Sequence, residues 1–211
     1  MKIYERHFII LSIVMFAIAT GLFVFALLFI KDTVKPSATP QKPDIVKVPY
    51  FVIVDINELC RVEVEERKWE NIVLHHSATD EGNAHNFDEY HRETMKWEHG
   101  LAYHFVIGNG KGSGTGEIEV GNRWKEQIHG AHTTRMDLNR VSIGICLVGN
   151  FEEDNKPTEN QFESMVILVN YLTKRYKIPK SNIIKHNQVR KKHTACPGKN
   201  FPYKELLEEI D

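Results

Sequence analysis

The chain has 211 residues, with 27 Lys and Arg against 28 Asp and Glu, and its formal net charge is −1 at pH 7. This balance excludes the strongly basic character that is typical of nucleic-acid-binding domains. The three cysteines, Cys60, Cys146 and Cys196, are too few for a disulfide framework, and their odd number leaves at least one thiol unpaired or metal-bound. Sequence alone does not give connectivity, so a Cys60–Cys146 pair is one of the open alternatives.

The first predicted element is a membrane-spanning helix at residues 8–30, after a short tail at residues 1–7. This run of 23 residues contains no charged side chain and no polar face. A helix needs about 20 apolar residues to cross a bilayer, whereas the apolar part of a cleaved signal peptide has only about 7–15. The segment is therefore predicted to be an uncleaved, single-pass anchor.

A spacer is predicted between this anchor and the folded domain. Residues 31–49 contain four prolines together with Ser, Thr and Lys, a composition typical of extended, semi-rigid linkers. Lysine and arginine occur on both sides of the apolar segment, so charge alone does not decide its orientation.

Residues 50–211 are predicted to form an α/β domain, because strand and helix patterns alternate along them. Strands are predicted at residues 50–54, 71–76, 103–107, 117–120, 141–148 and 183–184. Helices are predicted at residues 87–98 and 203–210, and a third begins at Pro157 or Thr158 and ends at Tyr176. Thr158 and Gln161 form a capping box at the start of the longest helix. The glycine-rich segment 108–116 lacks the pattern of a phosphate-binding loop and is predicted to be a hairpin turn.

Three residues form a candidate metal site. His75 and His186 each follow an apolar strand, at the end of the strand where α/β sheets usually carry their sites. Cys196 lies in the sequence TACPG, in which proline and glycine favour a tight turn. Two imidazoles and one thiolate suit zinc with a fourth position left for water. From spacing alone, buried histidines and an inert thiol are the favoured interpretation.

Six motifs occur along the chain in a fixed order. They are IVLHHSAT (72–79), LAYHFVI (101–107), GAH (130–132), NRVSIGICLVGNF (139–151), HNQV (186–189) and TACPG (194–198). Together they resemble the N-acetylmuramoyl-L-alanine amidase type 2 family, which includes the peptidoglycan recognition proteins. The resemblance covers roughly residues 69–201 and implies a central, mainly mixed β-sheet flanked by helices.

The resemblance also implies roles for individual residues. His75, His186 and Cys196 match the zinc ligands of the family, and Tyr103 matches its catalytic tyrosine. The phenol would hydrogen-bond the attacking water or the oxyanion that develops on the substrate. The neighbouring His76 points to the opposite face of its strand, which predicts a structural role.

Three further positions match the catalytic or substrate-binding part of the family pattern. Thr194 falls where a hydroxyl would stabilise an oxyanion, and His132 and Asn139 fall where the family lines its substrate groove. The segment between the second and third ligands is about two residues longer than is usual in the family. Lys192 or His193 is therefore an alternative to Thr194, and His193 is a candidate general acid.

The function implied by the resemblance is that of a zinc-dependent amidase. It would hydrolyse the lactyl amide bond between N-acetylmuramic acid and L-alanine in peptidoglycan, on the periplasmic or extracytoplasmic side of a bacterial membrane. Two alternatives stay open, namely a recognition module that binds peptidoglycan without cutting it and a structural zinc site closed by a fourth ligand. The basic run at residues 190–193 is typical of a solvated loop, and no nucleic-acid partner is expected.

Overall fold

A computed structural model describes residues 55–189 and 194–210. Its helices are α1 (Ile56–Leu59), α2 (Ala84–Glu93), α3 (Asn122–Lys125), α4 (Met136–Asn139), α5 (Glu159–Tyr176), α6 (His186–Val189) and α7 (Tyr203–Glu209), with a 3₁₀ turn at Lys180–Asn182. Its strands are β1 (Asn71–His76), β2 (Phe105–Ile107), β3 (Ile118–Val120), β4 (Ser142–Leu147) and β5 (Ile183–Lys185). The predicted anchor at 8–30, the spacer at 31–49 and the predicted strand at 50–54 lie outside the described residues. Within the described ranges, no helix has the length and apolar character needed to cross a membrane.

The five strands form one sheet in the order β3-β2-β4-β1-β5. Strand β1 pairs in parallel with β4 on one side and with β5 on the other, and β2 also runs parallel to β4. Only the edge strand β3 is antiparallel, and the glycine-rich segment at residues 108–117 joins it directly to β2. The prediction of a mixed sheet flanked by helices is confirmed. Because β1, β4 and β5 are parallel neighbours, their carboxyl ends meet at the same edge.

The two faces of the sheet carry different kinds of side chain. Alternate residues of β1 and β4, such as Ile72, Leu74, Ile143 and Ile145, enter the main core, where helices α5 and α7 cover them. The residues between them, including His75, point to the opposite face. Strands β1 and β4 are each buried over nearly their whole length, as expected of a sheet with both faces covered.

Helix α5 begins as the sequence predicts. The Thr158 hydroxyl accepts from the Gln161 amide at 3.1 Å, and the Gln161 side chain accepts from the Thr158 amide at 3.1 Å, so the capping box is complete. The side-chain nitrogen of Gln161, Nε2, also donates to the carbonyl oxygens of Ile107 and Val148 at 3.1 and 2.9 Å. The cap therefore also fixes the helix to the ends of the sheet, since it satisfies two buried carbonyl groups.

Helix α2 lies earlier in the chain than the apolar pattern predicts, at Ala84–Glu93 instead of residues 87–98. Asn83 determines its start, because its side chain accepts from the Asn86 amide at 2.7 Å. Beyond the helix, Lys96 and Gly100 both have a φ of 59°. This left-handed conformation is incompatible with a right-handed helix that extends to residue 98. Asp88 then accepts from the Leu101 amide at 2.8 Å, so the helix holds the segment that leads to Tyr103.

None of the three cysteines forms a disulfide bond. Cys60 lies in the main core, whereas Cys146 alternates with the core residues of β4 and therefore points to the other face. The sheet separates the two side chains, which removes the Cys60–Cys146 pair from the alternatives.

Candidate metal centre

The sheet brings the three predicted ligands together. His75 is the fifth residue of β1, and His186 follows β5 directly at the start of α6. Since β1 and β5 are parallel neighbours, their carboxyl ends place the two imidazoles side by side, with ring centroids 4.5 Å apart. Cys196 completes the group, and the candidate ligand atoms of the three residues all lie within 4.8 Å of one another.

Backbone hydrogen bonds hold Cys196 against the sheet. The Asn187 amide donates to the Cys196 carbonyl oxygen at 2.9 Å, which ties this turn to the start of α6. The His76 amide donates to the Cys196 sulfur at 3.4 Å. An N–H group directed at the sulfur favours the thiolate, which is the form that binds metal.

The donor set fits zinc. The distance from His75 Nδ1 to Cys196 Sγ is 3.6 Å. Ordinary Zn–N and Zn–S bond lengths at a tetrahedral angle place such a pair about 3.5 Å apart. Burial lowers the pKa of His75 well below its usual value, and electrostatic repulsion lowers it further, with contributions from His132, His186 and His76. The imidazole is therefore neutral at physiological pH, as a metal ligand must be.

A tyrosine and a second thiol lie beside this group. The ring centroid of Tyr103 is 5.1 Å from that of His75, and the Cys146 thiol lies near the phenol. Burial raises the pKa of Tyr103 and of Cys146 well above their ordinary values. Both groups therefore keep their protons, so Tyr103 is a hydrogen-bond donor and Cys146 is a thiol. Among the described residues, the metal-binding group has three members and Cys146 is outside it.

The Thr194 side chain contacts the backbone of Cys196. Its hydroxyl oxygen accepts from the Cys196 amide at 3.3 Å, and its side chain is half-buried. The alternatives Lys192 and His193 lie outside the described residues. The role of Thr194 in stabilising an oxyanion stays a prediction, and its contact with the Cys196 backbone gives it a second role in shaping the turn.

The structure places the two predicted substrate-binding residues inside the protein. His132 is 5% exposed and Asn139 is 2% exposed. The Asn139 side-chain oxygen, Oδ1, accepts from the backbone N–H of Thr133 at 3.0 Å and from its hydroxyl at 2.9 Å, which stabilises the loop after His132. Contact with substrate stays a prediction for both residues, but their contacts indicate a supporting role.

His76 has the structural role that strand alternation predicts. Its ring lies on the core side of the sheet, 5.9 Å from the ring of Phe151. Its Nδ1 atom accepts from the Phe151 amide at 3.1 Å. This bond fixes the start of the loop after β4 and keeps His76 away from the candidate ligands.

His104 is a buried residue that the sequence analysis did not single out. Its Nδ1 atom accepts from the Gly144 amide at 2.9 Å, and its Nε2 atom donates to the Ile128 carbonyl oxygen at 3.1 Å. The ring packs edge-on against Trp69, with centroids 4.8 Å apart. Burial lowers the pKa of His104 well below its usual value and that of His132 to about 3. In the sequence, His104 is followed by apolar residues, as is common in strands. Only the packing of the folded chain shows that its ring joins Gly144 to Ile128.

These buried neutral histidines make the zinc-free protein sensitive to acid. The unfolded chain takes up protons near pH 6.5, whereas the folded chain does so only at lower pH, so stability falls as pH decreases below about 6.5. Between pH 7 and pH 5 we expect each such histidine to cost up to about 2 kcal/mol of unfolding free energy. Urea unfolding in the presence of a chelator, measured across this range, checks the effect.

A matched pair of variants isolates the contribution of one histidine. His104→Asn should reduce the number of protons taken up on unfolding by about one, whatever its effect on absolute stability. The slope of the unfolding free energy against pH measures this number. His85→Asn is the control, because the His85 side chain is 77% exposed. An unchanged slope in His104→Asn would contradict this explanation.

Together these observations define an α/β protein with a three-ligand candidate metal centre at the carboxyl edge of a mixed sheet. Residues 65–199, more than half of the chain, match the family model described as N-acetylmuramoyl-L-alanine amidase. The chain therefore belongs to the N-acetylmuramoyl-L-alanine amidase family.

Individual relatives agree with this assignment. The solved amidase LysC from Clostridium intestinale URNW shares 31% identity, with 68% of this chain and 87% of that chain covered and a TM-score of 0.58. A peptidoglycan recognition protein of Trichoplusia ni is 28% identical over 77% of this chain and 94% of its own length. The solved peptidoglycan recognition protein LE, in complex with tracheal cytotoxin, shares 24% identity over 71% of this chain and 88% of its own, with a TM-score of 0.54, which concerns the fold alone.

Proposed function

We propose that this protein is a zinc-dependent N-acetylmuramoyl-L-alanine amidase, which hydrolyses the lactyl amide bond between N-acetylmuramic acid and L-alanine of peptidoglycan. The observation that carries the proposal is the convergence of His75, His186 and Cys196 within 4.8 Å of one another. Three protein ligands with an open fourth position are typical of catalytic zinc sites, whereas structural sites are closed by four.

The chemistry divides between the metal and the surrounding residues. When bound, zinc acts as a Lewis acid that polarises a carbonyl group and brings the pKa of a water molecule to about 7. Tyr103 keeps its proton and lies beside His75, so its phenol can donate a hydrogen bond to the oxygen on which negative charge develops. The Thr194 hydroxyl contacts the Cys196 amide, and we propose that it stabilises the same charge.

An aromatic wall continues outward from Tyr103. The rings of His91 and Trp97 stack with centroids 4.8 Å apart and an angle of 12°, and His91 lies 6.2 Å from Tyr103. Both rings are half-buried, so part of each side chain is exposed to solvent. Binding sites are commonly lined by aromatic side chains with a few polar groups between them, and this wall supports a substrate position over Tyr103.

A second candidate function is recognition of peptidoglycan without cleavage. The curated relatives are named as peptidoglycan recognition proteins, and one solved relative of that kind is in complex with tracheal cytotoxin, a monomeric diaminopimelic acid-type peptidoglycan. Both functions require the same substrate groove. They differ in whether the metal site and Tyr103 act on the bound amide.

We also propose that residues 8–30 anchor the domain to the membrane, with the domain on the side that faces peptidoglycan. The proposal rests on the 23 uncharged residues and on the proposed substrate. Alkaline carbonate washing of membranes tests it, since an anchored chain stays in the pellet. Release of the intact chain into the supernatant would contradict the anchor.

Digestion of purified sacculi separates the amidase from the recognition module. The full chain, purified in detergent and loaded with zinc, is expected to release free stem peptides and leave intact glycan strands. Chelation should abolish the release, and added zinc should restore it. A zinc-loaded chain that binds sacculi but releases no peptide would favour the recognition module.

A further inference from the structure

His132 contacts the candidate ligand His75 at the ring nitrogen that does not face Cys196. The distance between His75 Nε2 and His132 Nδ1 is 3.1 Å. The other nitrogen of His75, Nδ1, faces the Cys196 sulfur at 3.6 Å. Both ring nitrogens of His75 are therefore committed, one toward the metal position and the other toward His132.

The hydrogen bonds that link Ser142, His132 and His75 allow only one placement of the ring hydrogens. The His132 Nε2 atom lies 3.4 Å from the Ser142 carbonyl oxygen, which can only accept. His132 therefore carries its hydrogen on Nε2 and presents the Nδ1 lone pair to His75. His75 in turn carries its hydrogen on Nε2, which leaves the Nδ1 lone pair free to bind metal.

The backbone leaves a slot for the His132 ring. A Cβ atom built on Gly130 or on Gly144 would lie 2.3 Å from His132 Cδ2, far closer than a real contact allows. The loop that carries His132 is fixed by the bond from the Ala131 amide to the Ala102 carbonyl oxygen, at 3.0 Å. Two glycines and a fixed loop thus hold the ring in one position.

We propose that His132 is a positioning residue, which sets the tautomer and the ring orientation of His75 for metal binding. The inference rests on the proposed zinc site. Partners that accept a hydrogen bond from a ligating histidine raise its basicity and fix its orientation, and their loss costs about 10–100-fold in metal affinity. With 5% of its surface exposed, His132 is better placed for this role than for contact with substrate.

Two variants of the full chain test the proposal through zinc affinity, measured by competition with a chelator. His132→Leu removes the acceptor and should weaken zinc binding by about 10–100-fold. His132→Asn keeps an acceptor oxygen close to the position of Nδ1 and should stay within about threefold of the unmodified chain. Near-UV circular dichroism of the zinc-free proteins monitors whether each variant is folded.

A merely structural role predicts a different pattern, in which affinity follows stability and both variants weaken equally. Equal weakening, or wild-type affinity in His132→Leu, overturns the proposal. If His132→Leu does not fold, Gly144→Ala provides the second test, because it displaces the ring without removing any hydrogen-bonding group. In that variant, zinc affinity equal to that of the unmodified chain overturns the proposal, and a loss of about tenfold or more supports it.

Failure of the proposed function would look different. An unmodified chain that binds no zinc, or that binds zinc and releases no stem peptide, contradicts the amidase proposal directly. The comparison of His132 variants concerns affinity alone and needs no turnover. The two proposals can therefore fail independently once the unmodified chain has been shown to bind zinc.

Discussion

Replacing Cys196 with alanine is expected to abolish both zinc binding and peptide release. The sulfur is one of only three ligand atoms in the described metal-binding group. Removing a ligand must cost more than removing a supporting partner, so zinc affinity should fall by more than about 100-fold. Elemental analysis of the dialysed chain and digestion of sacculi measure the two effects.

Cys60→Ala is the matched control for this experiment. Cys60 is also a buried cysteine outside any disulfide, but it lies in the main core on the other side of the sheet. That variant should keep one zinc per chain even if it loses some stability. Retention of zinc and of full activity in Cys196→Ala would remove the thiolate from the site and leave the donor set incomplete.

Replacing Tyr103 with phenylalanine is expected to reduce turnover while leaving zinc content unchanged. The phenol is protonated and adjacent to His75, but it lies outside the metal-binding group. Loss of one donor to a developing oxyanion typically costs about 10²–10³ in kcat. Initial rates of stem-peptide release at saturating substrate, together with zinc content, measure the effect.

Tyr90→Phe is the control, since Tyr90 is 55% exposed on helix α2. It makes the same chemical change at a position where the hydroxyl faces solvent. Full activity in Tyr103→Phe would exclude the phenol from the reaction. A loss of muropeptide binding with unchanged kcat would instead assign Tyr103 to substrate binding.

Local sequence determined the parts of the fold whose causes are local. The alternation of apolar residues predicts β1 and β4, and the Thr158–Gln161 pair predicts the start of helix α5, because strand burial and helix capping depend on neighbours within a few positions. The start of helix α2 is also set locally, but the prediction places it three residues too late. Its start depends on the Asn83 cap, which an apolar pattern does not report.

The sequence by itself also identified the three candidate ligands, since residue type and the order of six motifs are properties of the chain alone. Only the tertiary structure decided what surrounds them. His75 and His132 are 57 positions apart, and their contact exists because Gly144 of β4, two strand positions before Cys146, leaves room for an imidazole. Contacts of this kind depend on the volume left between packed elements, which no local pattern encodes. The resemblance therefore predicts that His132 and Asn139 line a substrate groove, but local sequence does not show that both side chains are buried and hydrogen-bonded inside the folded chain.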